Sequence, residues 1–380
     1  MGHILETRVL TSITVSRIVG RASDGSKREV TGTGPGRRMT DQATEFTPEA
    51  AIAHLQAQGV VPADADATAR SLGGGVSNHV YQVTWDDDCL VVKRPLPNLA
   101  VEDDWPADVD RVHNEADAIR AYDTVLRETS VAARVPRVVH ETRDPDHVVA
   151  IECAPADAEM WKTDLLAGRV DAGVAATVGE VLGVVHDATA TDDDVRERFA
   201  SKRPFDQLRV DPYHRTTAER NPDVADAIHD EIDRLMDTSR ALVHGDYSPK
   251  NVLVGRDSVP WILDFEVAHW GDPAFDTAFM LNHLFIKSIY NHGKHAAYAD
   301  AADRFWTAYD RAVDWDIERE TVAELAVLML ARVDGKSPVE YVEREAVAEA
   351  LRRVAKRTLR GDADTLDDFA ALAREEAEAL

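Results

Sequence analysis

The chain has 380 residues, enough for two lobes with separate cores, and its 69 Asp and Glu outnumber 43 Lys and Arg for a formal net charge of −26. That charge argues against a nucleic-acid or anionic-membrane partner, and no apolar run approaches the roughly 18 residues a membrane-spanning helix needs. Cys89 and Cys153 lie in or beside apolar runs without metal-ligand spacing, which predicts buried free thiols in a reducing, cytoplasmic setting and no disulfide.

Residues 1–38 differ from the rest, with seven basic residues against three acidic ones and a breaker-rich Thr-Gly-Thr-Gly-Pro-Gly at 31–36. They read as a disordered extension with Met39 as an alternative start, and a targeting peptide is the rival reading. Thr47 and Pro48 form an N-cap with proline in the first turn, opening a helix to about Gln58 that Gly59 stops.

Residues 71–93 then read as strand, glycine loop, strand, turn, strand. Gly73, Gly74 and Gly75 let backbone amides approach phosphates with no Cβ in the way, and Ser77 and Asn78 complete the loop. A plain tight turn is the alternative. Lys93 closes the third strand. In the helix that follows, Val112, Glu115, Ile119 and Tyr122 share the inward face, so Glu115 needs a cation, and Lys93 is the natural partner. The alternative leaves Glu115 solvated beside Arg111. Residues 148–155 read as a buried strand ending in a breaker. From Ala172 onward the chain is mostly helical, first with Val178, Val181, Leu182 and Val185 at helical spacing, then near 219–237, 273–290, 296–313, 319–333, 338–357 and 363–379. His186 reads as packed rather than catalytic.

The chemistry concentrates between Leu242 and Glu266. Two short apolar runs, 252–254 and 261–263, flank a turn-rich segment and predict an antiparallel hairpin. Pairing 252 with 263 sets Asn251 opposite Asp264, where an amide oxygen and a carboxylate can share one small hard cation such as Mg²⁺. If the chain stays extended, Glu266 points the same way as a further ligand; a solvated carboxylate is the alternative. Asp246, five residues before Asn251, is placed to accept the proton of a hydroxyl attacking a γ-phosphate.

The order His244-Gly-Asp246, then Asn251, then Asp264-Phe-Glu266 resembles the aminoglycoside phosphotransferase and choline kinase family. Lys93 with the Leu-Pro after it, Trp105-Pro, Asp110-Arg and Asn114-Glu-Ala are similar to the methylthioribose kinase pattern. Trp161-Lys and Asp211-Pro-Tyr213 are partial matches. The resemblance covers about Gly73 to Asp276. Asn251 follows the broader family, whereas the segment from Arg332 to Pro338 lacks the paired arginines of the thioribose kinases.

This resemblance implies an α/β (α+β), bilobal, protein-kinase-like fold: a small antiparallel-sheet N-lobe at 39–152 and a larger, mostly helical C-lobe at 153–380. It implies ATP between the lobes, with adenine on the backbone around Glu152 and Ala154, and Asp276 as a brace for the catalytic loop. It also implies that C-terminal helices wall the acceptor pocket, where Arg332 and Lys336 would grip a hydroxyl or an anionic group; the alternative is that they stabilise a helix end. The expected activity is transfer of the γ-phosphate from Mg²⁺-ATP to a hydroxyl of a small sugar-like molecule. Amino alcohols or aminoglycosides are the second class of acceptor, and a non-catalytic nucleotide-binding regulator is the third reading.

Overall fold

Alternation of apolar and polar residues builds a five-stranded antiparallel sheet in the order β1-β2-β3-β5-β4: β1 (Thr68–Ser71), β2 (Asn78–Trp85), β3 (Asp88–Pro95), β4 (Val138–Thr142) and β5 (Val148–Glu152). The computed structural model describes residues 46–73, 77–99 and 106–380. The expectations for residues 1–38, Met39, Gly74, Gly75 and Trp105 lie outside these residues.

The period of two gives the sheet its two faces. Leu90 and Val92 of β3, with Val148 and Ala150 of β5, pack with Ala51 and Leu55 of α1 (Pro48–Ala57), whose first turn is capped when Thr47 Oγ1 accepts the Ala50 N–H at 3.2 Å. The opposite face carries Val91, Val149 and Ile151 onto α2 (Arg111–Glu128), and Lys93 shares that face. One face of β3 therefore closes a small core, while the other delivers a lysine to the cleft.

The pairing of Leu90 with Glu152 has a second result. The next residues outward, Cys89 and Cys153, face each other and are joined in a disulfide, with Cα atoms 5.7 Å apart. This corrects the expectation of two free thiols. The cysteines are 64 residues apart, and only the β3–β5 pairing brings them together.

After β5 the chain is largely helical: α3 (Trp161–Leu166), α4 (Ala172–Thr189), α5 (Asp193–Arg198), α6 (Arg203–Phe205), a π-helical segment at Asp206–Arg215, α7 (Thr216–Arg220), α8 (Ala225–Asp237), α9 (Pro273–Tyr290), α10 (His295–Asp310), α11 (Glu318–Asp334), α12 (Glu345–Leu359) and α13 (Leu366–Glu378). The helix expected from 338 begins only at Glu345, because Pro338 lies in the turn that leaves α11. From Pro273 to Ile289 every residue of α9 is buried, so this helix is the axis on which the others pack. Helices α4 and α10 meet backbone to backbone. A Cβ at Gly179 would overlap the Phe305 carbonyl, and one at Gly183 would lie 2.6 Å from Ala312 Cβ. Among the described residues, no helix is long and apolar enough to cross a membrane.

Short strands at the inner edge of the helical lobe carry the chemistry. β6 (Glu159–Met160), β8 (Val252–Val254) and β9 (Pro260–Ile262) form one small sheet, and β7 (Ala241–Val243) pairs with β10 (His269–Gly271). The β8–β9 register differs by one residue from the expected one: Val252 pairs with Ile262, and the Leu263 N–H donates to the Asn251 carbonyl at 2.9 Å. Asp264 then takes a left-handed conformation, φ +70°, which ends the extended run. The alternation that was to align Asp264 with Glu266 therefore does not hold.

Candidate active site

Lys93 and Glu115 meet in the cleft. Lys93 Nζ donates to Glu115 Oε1 at 2.5 Å and to Asp264 Oδ1 at 3.2 Å, and Glu115 is wholly buried. Burial pushes the Glu115 carboxyl up and Lys93 pulls it part of the way back, while Glu115 and Asp264 together outweigh burial and raise Lys93. The lysine is thus held charged between a helix of the small lobe and the loop after β9.

Glu266 has partners other than the expected cation. Its Oε1 accepts from Ser77 Oγ at 2.8 Å, and its Oε2 accepts from Asn78 Nδ2 at 2.9 Å and Arg111 Nε at 3.1 Å. Arg111, only 1% exposed, also donates to the carbonyls of Leu96, Asp108 and Ser77. Glu266 and Arg111 thus tie the end of the glycine loop to both lobes. Three of the four lone-pair sites of this carboxylate are thus used, and one on Oε1 is left for a further partner.

The catalytic loop is built on backbone contacts. Gly245 has φ +77°, and a Cβ there would lie 2.6 Å from the Val267 carbonyl, so glycine is required between His244 and Asp246. Asp276, in the first turn of α9, accepts the His244 N–H at 2.6 Å on one oxygen and the Gly245 N–H at 2.9 Å on the other. His186 touches the same carboxylate at 3.3 Å, a packed role. His244 Nδ1 accepts the Asp246 N–H at 3.2 Å, so its Nε2–H donates to the Leu263 carbonyl at 3.1 Å. Burial lowers the pKa of this ring against the pull of Asp276 and Asp246. The neutral imidazole thereby fastens the loop bearing Asp246 to the one bearing Asp264.

Asp246 is 2% exposed and its two oxygens are unlike. Oδ2 accepts from Asn251 Nδ2 at 2.9 Å and forms ion pairs with Lys250 Nζ at 2.8 Å and Arg209 Nη2 at 3.0 Å. Oδ1 has no hydrogen-bond partner among the described residues. Desolvation would raise this carboxyl, but Arg209 and Lys250 outweigh it and hold the group below the ordinary aspartate value. The carboxylate is ionised and offers Oδ1 to a further donor.

Asn251 spends its amide hydrogens on Asp246, on Oδ2 and on the carbonyl at 2.9 Å, which leaves its Oδ1 for a cation. Asp264 has one oxygen on Lys93, and its pKa is lowered because Lys93 and Lys250 outweigh the desolvation that would raise it. Two hard oxygen donors of this kind suit Mg²⁺ or Ca²⁺ rather than a soft metal. At the other end of the cleft, Glu152 gives its N–H to the Arg137 carbonyl at 2.9 Å, and Ala154 lies just past the end of β5.

Arg332 and Lys336 have different partners. Arg332 Nη1 donates to Tyr213 Oη at 3.2 Å, Ser337 O at 2.6 Å and Ser337 Oγ at 3.0 Å. The Tyr213 ring is 5.5 Å from the Arg332 guanidinium carbon and 5.8 Å from that of Arg209, and the charges of Arg332, Arg209, Asp246 and Lys250 all act on its hydroxyl, so Arg332 belongs to the surroundings of Asp246. Lys336 is exposed and pairs with Asp211 at 3.5 Å. The sequence reading missed Arg209, Lys250 and the tether made by Arg111. Lys250 had a local signal, a cation four residues after the base. Arg209 had none, because it sits in a π-helical segment interrupted by Pro212 that follows no regular period.

The profile of the Phosphotransferase enzyme family matches residues 68–320. Methylthioribose kinase 2 of Oryza sativa subsp. japonica is 24% identical over 291 residues, covering 68% of this chain and 66% of the relative. A methylthioribose kinase of Pectobacterium atrosepticum is 23% identical over 270 residues, covering 63% of this chain and 66% of the relative. The chain thus spans just under two thirds of the length of these relatives. Among solved structures, an amicoumacin kinase in complex with AMP-PNP, Ca²⁺ and amicoumacin superposes with a TM-score of 0.49 at 13% identity, covering 80% of this chain and 91% of that one. A Plasmodium vivax ethanolamine kinase gives 0.48 at 12% identity, covering 90% and 92%. With a five-stranded antiparallel lobe, a helical lobe and a family match over most of its length, the chain has a bilobal protein-kinase-like fold and belongs to the Phosphotransferase enzyme family.

Proposed function

We propose that this protein is a kinase that moves the γ-phosphoryl group of ATP to a hydroxyl of a small, sugar-like molecule. The observation that carries the reading is the asymmetry of Asp246, whose Oδ2 is held by one hydrogen bond and two ion pairs while Oδ1 has no hydrogen-bond partner among the described residues. The attacking hydroxyl would donate its proton to Oδ1 as its oxygen bonds to the γ-phosphorus, and the bond from phosphorus to the β-γ bridging oxygen breaks to release ADP. The fixed Oδ2 sets the direction of the carboxylate, and positioning of that kind accounts for much of the rate in phosphoryl transfer.

Lys93, held by Glu115 and Asp264, would meet the α- and β-phosphates under the glycine loop that begins at Gly73 and ends at Ser77 and Asn78. Asn251 and Asp264 would hold Mg²⁺, which supplies neutralisation of phosphate charge when bound. Adenine would rest against the backbone after β5, around Glu152 and Ala154.

The test is ADP release by the full chain with Mg²⁺-ATP, in low and molar salt, against sets of hydroxyl compounds. Acceptor-dependent release that falls by about a thousandfold in Asp246→Asn, with ATP binding intact, is the expected result. Acceptor-dependent release that persists at the wild-type rate in that variant would remove Asp246 from its role. Nucleotide binding with no release for any set would favour a regulator.

A further inference from the structure

The surroundings of Asp246 carry an excess of positive charge that the chemistry of the base does not need. Beyond Arg209 and Lys250, Arg332 lies across the Tyr213 ring. Tyr213 stacks on Phe279 with centroids 6.0 Å apart, and Phe279 meets His283 at 5.5 Å. One turn further along α9, Lys287 Nζ donates to the His283 carbonyl at 3.2 Å and to Tyr341 Oη at 3.4 Å. The Tyr341 ring has Lys287 and Lys162 within 5.3 Å and 5.9 Å of its centroid. The chain of contacts is continuous from the base to Lys162.

Five cations, Arg209, Lys250, Arg332, Lys287 and Lys162, gather along this path, and the carboxylates in direct ion pairs with them are Asp246 and Glu340. Asp246 takes Arg209 and Lys250, and Glu340 takes Lys162. Arg332 and Lys287 are left with hydroxyl and carbonyl partners, and Arg332 Nε is buried with no hydrogen-bond partner among the described residues. Three of the nine lysines in a chain of net charge −26 have gathered here. Lys287 is fully buried with a carbonyl and a hydroxyl as its hydrogen-bond partners and the charge of Glu340 only at a distance, and an ammonium so weakly compensated is retained at a cost to stability. Arg332, Lys162 and Lys250 keep partly exposed side chains, so a ligand can reach them.

Building on the kinase reading above, we infer that the acceptor itself is an anion: a hydroxyl compound bearing a carboxylate or a phosphate, whose charged end is taken by Arg332 and Lys162 while Lys250 and Asp246 receive the hydroxyl end. Lys287 acts through its field from behind Tyr341. An amino alcohol or an aminoglycoside would bring a cation to a region that already has too many. A neutral sugar would leave Arg332 and Lys287 uncompensated.

The experiment compares acceptors that share a hydroxyl pattern and differ in charge: ribose, ribonate and ribose 5-phosphate, with ethanolamine and kanamycin as cationic members. ADP release by the full chain is expected to give a kcat/KM at least tenfold higher for an anionic member than for ribose, and the ribonate and ribose 5-phosphate arms separate carboxylate from phosphate. Arg332→Gln and Lys162→Gln should each cut that ratio at least fivefold through KM for the acceptor. Equal or better use of ribose or a cation, or a ratio unchanged in both variants, overturns the inference while the kinase reading stands. If no acceptor supports release, the kinase reading fails, and the anion site is measured alone by equilibrium dialysis of radiolabelled sulfate with Mg²⁺-AMP-PNP saturating the nucleotide site. Sulfate bound by the wild type and lost in Arg332→Gln sustains the site; no sulfate bound overturns it.

Discussion

The two halves of the cleft are charged in opposite senses. On the nucleotide side, Glu115, Asp264 and Glu266 surround Lys93 and Arg111, so carboxylates are in excess. On the side proposed for the acceptor, Arg209 and Lys250 pair with Asp246 and Lys162 with Glu340, while Arg332 and Lys287 lie against the Tyr213 and Tyr341 rings. A region with one carboxylate to spare is suited to a divalent cation and the phosphates that accompany it. A region with cations to spare is suited to an anion without a metal. The chain places these unlike regions on either side of one catalytic loop, so a nucleotide with its metal and an acidic acceptor would each find a half suited to its charge.

The comparison breaks most completely at the residue both halves share. Asp246→Asn keeps the shape but removes the proton acceptor, and turnover should drop about a thousandfold with KM for ATP little changed in steady-state assays.

The nucleotide half is tested next by Lys93→Met. This leaves Glu115 buried beside Asp264 without its cation, which should cost about 3–5 kcal/mol in chemical denaturation as well as ATP affinity. The sign with pH is defined. A carboxyl whose folded pKa lies above its unfolded value is at full stability below the unfolded value and loses it as pH rises, so this variant should be more stable at pH 6 than at pH 8. Adding Glu115→Leu should recover much of the loss. A double variant no more stable than the single one would show that the pair is not coupled.

Behind the acceptor half, Gly179→Ala forces a methyl group against the Phe305 carbonyl, where α4 and α10 touch. The neighbouring Val178 carbonyl accepts from Tyr247 Oη at 2.7 Å, so the strain reaches the residue after Asp246. A loss of about 1–3 kcal/mol is expected, read as a lower Tm, with kcat falling alongside it. A variant as stable as the parent would mean the helices can separate freely.

The smallest effect sharpens the comparison. Burial lowers Lys287 to about 7, helped by Lys162 and Arg332 and opposed by Glu340; the His283 ring and the Tyr341 hydroxyl also lie against it. Its charge is lost as pH rises through that value, so KM for an anionic acceptor should rise several-fold between pH 6 and 8, and Lys287→Met should flatten the profile. Stability moves the other way: above pH 7 the unfolded lysine binds more protons than the folded one, so this residue adds stability with pH up to its ordinary value. A KM that stays level in the wild type would remove Lys287 from acceptor binding.

The parts of the site legible in the sequence are those whose spacing is local. His244, Asp246, Asn251 and Asp264 fall within 21 residues of one another, and their order alone pointed to phosphoryl transfer. Lys93 and Glu115 were legible as a pair because a buried carboxylate requires a cation. The hairpin register was missed by one residue because the left-handed turn at Asp264 ends the strand early, and no residue type announces that turn. Lys287 was hidden inside an apolar helix that reads as core. Arg111 was hidden because arginine is seldom buried, so the sequence treated it as part of a solvated edge. The disulfide depended on which strands are neighbours, and local pattern does not contain that information.

That disulfide marks off a closed loop of chain. The ring from Cys89 to Cys153 contains Lys93, Arg111 and Glu115, and leaves out Asp246 and all the residues of the acceptor half. A protease cutting at Arg143, in the exposed turn between β4 and β5, would sever the backbone without releasing a fragment. Such a nicked protein should run as one band on a non-reducing gel and as two after reduction, with Lys93 and Glu115 together on the N-terminal fragment, which sulfur alone holds to the helical remainder.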